Sequence, residues 1–384
     1  MNPHFPTKTL CFGLVCMMAG IVFLAGCASN PLPTPSPTPT TLATIVPVPS
    51  ATQPIALTPT IAPSATRTPL TLFQGSPCGR CAAPQLVMDA QGTLHLFWRA
   101  GGDANIGFAQ MKPGGTWVKQ PLDMNYANES YYIFNTAYQL MRHPNGQACV
   151  MANGMNFKTN EHAMLIRCFD GTAWRDTYRT SPTSCTYAFA PDGTVRSLDS
   201  KKLSPNLGAI FGDCKLTIDR NGGYHALWWA QDTNSVWYRF SADKGNTWSA
   251  AEKLASEYPV PDLRVDAQGN LYYWTKTTYR RWMPNLGWQA PVDLRRYLNF
   301  DQYGIGEIKR LAPAPNGRLR ALIGTATGAA LYYVEQIVDD KWSEPVLITP
   351  YSVNADLVID DQGVSHIAYD QWGDVYYATM GAGK

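Results

Sequence analysis

One short pattern recurs seven times in the chain and limits its architecture more than anything else. An apolar strand runs into a tight turn ending in Asp-x-x-Gly or Pro-x-Gly, and a second strand follows. The turns end at Gly92, Gly146, Gly193, Gly222, Gly269, Gly317 and Gly363, so successive intervals are 54, 47, 29, 47, 48 and 46 residues. Asp and Asn fold their side chains back onto the turn backbone and Gly accepts left-handed φ, so each instance predicts a β-hairpin.

A fixed period marks a stacked unit that cannot bury its own face alone. Each period also holds a Tyr-rich third strand, as in Ser235 to Phe240 and Leu331 to Glu335. A fourth strand follows, led by Trp117, Trp174, Trp248, Trp288 or Trp342. Four strands per period of about 47 residues predict an all-β fold, a β-propeller of four-stranded blades. Six blades are expected, with seven as the alternative. The 29-residue interval reads as a hairpin inserted in the ring or a degenerate member of it. The last unit has only three strands, and Leu70 to Phe73 is expected to supply the fourth.

Ahead of the repeats the composition changes twice. Residues 1–26 carry Lys8 and the apolar run Leu10 to Leu24, a signal-peptide pattern too short to span a membrane comfortably. Leu24-Ala25-Gly26-Cys27 resembles the lipobox of bacterial lipoproteins, which implies lipidation at Cys27 and a membrane partner through that anchor. Residues 27–70 are almost entirely Pro, Thr, Ser, Ala and small aliphatics. They read as a disordered stalk reaching on the order of 100 Å. The propeller domain is then 71–384, extracytoplasmic and held at the cell envelope.

Nine cysteines divide into Cys11 and Cys16 in the leader, Cys27, and six others. An even remainder suits an oxidising compartment. Cys149 with Cys168 would join the second and third strands of one blade, and Cys185 with Cys214 would close the irregular interval. Cys78 and Cys81 remain as the third pair. Charge gives no footprint for nucleic acid: without residues 1–26, which hold only Lys8, 30 Lys+Arg face 29 Asp+Glu.

Ser241-Ala242-Asp243-Lys244-Gly245-Asn246-Thr247-Trp248 has the form Ser-x-Asp-x-Gly-x-Thr-Trp, which resembles the Asp-box of sialidases and related bacterial neuraminidase-repeat propellers. That resemblance implies a folding role for Ser241, Asp243, Gly245, Thr247 and Trp248: the Asp ties the turn and the Trp packs between blades. The Arg-Ile-Pro motif of sialidases does not occur, so no catalytic arginine, tyrosine or aspartate is carried over from that family.

Propeller topology puts first-to-second and third-to-fourth turns on one rim, with the remaining connections on the other. The turn carboxylates Asp89, Asp219, Asp266 and Asp360 belong to the first rim and read as turn-formers. His95, His225 and His366 recur at one repeat position and read as packed, so no metal site and no cofactor is expected. The opposite rim carries the ligand candidates Trp98, Arg99, Tyr131, Tyr132, Asn156, His162, Trp229, Asp232, Arg295, Arg296, Tyr303, Asp370 and Trp372. Rings can stack on sugars while polar groups fix orientation. A glycosidase would need two carboxylates about 5–9 Å apart, and Glu129, Glu161, Asp301 and Glu307 are the candidates. The expected function is a monomeric, non-catalytic carbohydrate- or protein-binding module. The alternative is a glycoside hydrolase or lyase of sialidase-like fold.

Overall fold

The computed structural model describes residues 65–66 and 83–381, except 101–104, 121, 123–130, 157, 181–185, 199–213, 231, 257–261, 267, 340, 353 and 373. Six antiparallel sheets follow one another along the chain, each ordered from its first strand outwards. The first strands are Gln85–Met88, Tyr131–Arg142, Cys214–Ile218, Leu263–Val265, Ile305–Pro313 and Ala355–Ile359. Of these innermost strands, the first packs on the second, the third on the fourth, the fourth on the fifth, the fifth on the sixth and the sixth on the first. Between the second and third, the strand Thr186–Phe189 packs on Cys214–Ile218 and shares a core cluster with Met141. The protein is therefore a six-bladed β-propeller.

The irregular interval is the hairpin Thr186–Phe189 and Val195–Leu198, a separate two-stranded sheet. Its first strand packs beside Cys214–Ile218, so it lies next to the third blade without becoming a full one. In the fourth and fifth blades the outer edge is split: Gly287–Trp288 with Val292–Asp293, and Lys341–Trp342 with Val346–Thr349, both pair with the third strand. Pro291 and Pro345 fall in those breaks, where a missing N–H costs the sheet nothing.

The strand completing the last blade is Ala65–Thr66, paired antiparallel with Met380 and Thr379. Leu70 to Phe73, the expected closing segment, lies outside the described residues. The third strand, Asp374–Met380, buries Val375, Tyr377, Ala378 and Met380.

Apolar cores form between blades. Each fourth-strand Trp packs in a cluster shared with the preceding unit: Trp117 with Ala368 and Val375, Trp174 with Phe97 and Phe108, Trp288 with Leu227 and Tyr238, Trp342 with Tyr272 and Tyr279. Trp248 joins the cluster of Ala188 and Leu198 from the hairpin. An indole removes on the order of 150–250 Å² from water, which makes these wedges a main source of cohesion round the ring. Turn-to-turn contacts add to it. The Ala90 N–H donates to the Gly146 carbonyl at 2.9 Å, and a Cβ on Gly146, whose φ is +92°, would sit 2.1 Å from the Ala90 methyl.

Cys149 and Cys168 face each other across the second and third strands of the second blade and form a disulfide. Cys214 is also disulfide-bonded. Its expected partner Cys185 lies outside the described residues, as do Cys27, Cys78 and Cys81. Disulfides persist in oxidising compartments, which is consistent with an extracellular protein.

Candidate functional site

The Asp-x-x-Gly rim is a folding device. In the Asp-box turn Asp243 accepts from the Thr247 N–H and hydroxyl at 2.8 and 2.6 Å and from the Ser241 hydroxyl at 2.8 Å. Those hydrogen bonds hold its carboxyl at about 2. The four turn aspartates divide their oxygens alike. One caps the turn N–H groups, and the other reaches the residue three beyond the turn glycine: His95 at 3.0 Å, His225 at 3.2 Å, Tyr272 at 3.1 Å and His366 at 3.2 Å. Burial lowers all three imidazoles below 6.5 despite the raising effect of each Asp partner. Among the described residues, no three His, Cys, Asp or Glu side chains gather where they could hold a metal ion.

The opposite rim separates the ligand candidates. Trp98 is 3% exposed and packs over Gly107 inside the first blade. Asn156 caps the turn after it by accepting from the Lys158 and Thr159 N–H groups. Asp370 is buried and clamps the connection into the last blade through the Asn354 N–H and amide, at 2.8 and 2.7 Å. Arg295 forks onto Asp293, and Arg296 is exposed. Tyr303 donates to Glu344 at 3.0 Å. The Trp229 indole N–H donates to Asn234, and Asp232 and His162 are exposed. The backbones of Arg99, Tyr131 and Tyr132 lie in strands, with side chains outside the described residues.

Of the described carboxylate candidates, Glu161 stands apart from Asp301 and Glu307. Glu161 opens the third strand of the second blade, whereas Asp301 and Glu307 lie at the entrance to the fifth, three blades away. Glu307 is paired with Lys309. Glu129 lies outside the described residues.

Trp372 differs from the other candidates. It is 74% exposed, sits at φ +56°, and its ring lies 4.9 Å from that of Tyr351, itself 48% exposed. Gln371 and Asp374 are paired, so Trp372 opens the two-residue connection between them, a position that favours Asn, Asp or Gly. A bulky side chain there strains the backbone by roughly 1–3 kcal/mol. Local stability therefore does not account for this Trp. The Thr349 hydroxyl donates to the Gln371 side chain at 3.0 Å, tying the two loops that carry the aromatic pair.

The centre of the ring holds a charged cluster that single motifs did not reveal. Asp356, 4% exposed on the sixth inner strand, accepts from Arg310 at 3.0 Å, Arg264 at 3.3 Å, the Leu86 N–H at 2.9 Å and its neighbour Leu357 N–H at 3.0 Å. Asp262 pairs with Arg264 at 3.0 Å. Partial burial raises Asp262, but the charges of Arg264, Lys215 and Arg310 outweigh this and leave it at about 2. One signal does exist in the sequence. Gln85, Gln139, Thr186, Lys215, Asp262, Arg310 and Asp356 each stand seven residues before a turn glycine, so this inner-strand position is polar in every unit.

No protein-family model and no curated protein sequence matches the chain. Among solved structures it is similar to a GH93 α-L-arabinofuranosidase of Fusarium graminearum in complex with arabinobiose, at 12% identity and TM-score 0.46, over 78% of this chain and 92% of that one. A protein of unknown function from Dyadobacter fermentans aligns at 12% identity and TM-score 0.48, over 79% and 94%. A Hadza microbial sialidase aligns at 15% identity and TM-score 0.45, over 78% and 65%. Likenesses this distant carry no conclusion about activity.

Proposed function

We propose that the protein is an exported, envelope-anchored carbohydrate-binding propeller that engages its ligand on the loop-rich rim without cleaving it. The exposed Trp372–Tyr351 pair carries this reading: two rings held together on a rim, one of them against the preference of its own backbone, make a stacking platform for a sugar face. The anchor rests on the Leu24-Ala25-Gly26-Cys27 lipobox pattern and the Pro/Thr-rich stalk in the sequence.

The ring centre favours binding over hydrolysis. A glycosidase needs a carboxylic acid that is protonated near neutral pH. Asp262 is held ionised by its arginine and lysine neighbours, and Asp356 already accepts from four donors. The test is a glycan and polysaccharide binding screen on the full-length protein and its Trp372→Ala variant, with reducing-sugar release followed in the same wells. Binding without release that falls with the variant is expected. Sugar release, or binding indifferent to Trp372, would overturn the reading.

A further inference from the structure

The irregular hairpin creates a cleft on the rim away from Trp372. A cavity of about 200 Å³ lies between its turn, the first turn of the third blade and the Asp-box turn, lined by Pro191, Asp192, Arg196, Arg220, Tyr224 and Lys244 among others. Each turn contributes a cation: Arg196 from the hairpin, Arg220 from the third blade and Lys244 from the Asp-box. Asp192 is the one carboxylate, and it lies 3.6 Å from Arg196. Three cations against one anion leave a net positive cleft.

Arg196 also departs from the repeat. Three residues past a turn glycine, other units place His95, Cys149, His225, Tyr272, Arg320 and His366, each bonded to its own turn, a disulfide partner or the next blade. Arg196 has only the long Asp192 contact, and its Nε is buried without a partner. Tyr224 is 4% exposed. Ala190, Pro191 and the Tyr224 ring supply apolar wall. Guanidinium and ammonium groups recognise oxyanions, guanidinium in a planar fork. The volume is below the roughly 300–1,000 Å³ of drug-sized sites, so one sugar ring is the right scale.

We propose that this cleft binds a single uronic-acid residue: its carboxylate on Arg196 and Arg220, Lys244 adding charge, and its ring against Pro191 and Tyr224. The site is independent of the Trp372 platform. It gives the protein a second contact, selective for acidic sugars.

The test is calorimetric titration of the full-length protein with glucuronic acid, galacturonic acid, methyl glucoside and inorganic sulfate. Variants Arg220→Ala, Lys244→Gly and Trp372→Ala are compared after their melting temperatures establish folding. Lys244→Gly is chosen because φ is +61° there. A uronate should bind in a salt-sensitive way and methyl glucoside should not. Arg220→Ala and Lys244→Gly should each weaken uronate binding about fivefold or more, and by more than Trp372→Ala does. No uronate binding, binding unaffected by both cleft variants, or sulfate binding as tightly as the uronates would overturn the proposal.

Discussion

Phe108 stands beside His95 where Tyr238 stands beside His225. The stacked rings are 5.9 and 6.1 Å apart, and Tyr377 repeats the arrangement with His366 at 6.0 Å. The two tyrosines share hydrogen bonds with their histidines at 2.8 and 2.5 Å, whereas His95 Nδ1 is buried without a partner. Phe108→Tyr should add the missing bond and raise stability by about 1 kcal/mol, read as a higher urea midpoint. An unchanged or lower midpoint would show that the first blade has no room for the hydroxyl.

The same histidines predict a pH response. Their folded pKa values lie below 6.5, chiefly through burial. The unfolded chain therefore takes up protons first as pH falls. Stability is complete above pH 6.5 and declines below it, by up to about 1.4 kcal/mol per pH unit for each histidine in its window. Urea unfolding at steps from pH 7.5 to 4.5 should show the loss before the carboxylates begin to titrate.

Asp356 ties four inner strands together, so Asp356→Ala removes the acceptor of the Leu86 N–H and one carboxylate partner each of Arg264 and Arg310, which keep Asp262 and the Lys309 carbonyl respectively. The expected cost is about 3–5 kcal/mol. Asp262→Asn, at a site about one-third exposed, should cost under about 1 kcal/mol. Equal losses in the two variants would mean that the cluster behaves as surface charge.

At position 372 the proposed ligand role and stability oppose each other. Trp372→Asn restores the residue type that this turn prefers and should raise stability by about 0.5–1 kcal/mol. It should also abolish sugar binding, a separation that thermal melts and the glycan screen measure together.

Replacing both Cys149 and Cys168 by Ser frees a loop with a sequence separation of 19 residues. Chain entropy puts the loss at about 3 kcal/mol. Chemical denaturation of the two forms under non-reducing conditions should show it.

Much of the fold was legible because propeller repeats write their period locally. The turn glycines, the Trp-led outer strands, the Cys149–Cys168 pairing and the Asp-box all lie within single units. Ala65–Thr66 was not singled out because it has no apolar alternation, and only its pairing with Met380 and Thr379 identifies it. Candidates such as Trp98 and Asp370 carry ligand-like side chains, but their burial depends on neighbours distant in sequence. The Asp356 cluster joins residues up to 270 positions apart, a contact no spacing predicts. Alignment of the units on their glycines does expose the shared polar position.

Closing the ring with Ala65–Thr66 against Met380 and Thr379 joins positions more than 300 residues apart in the chain. During synthesis the edge of the last blade therefore stays uncovered until its own third strand, Asp374–Met380, has been made. The ring shuts only after the other blades are already in place.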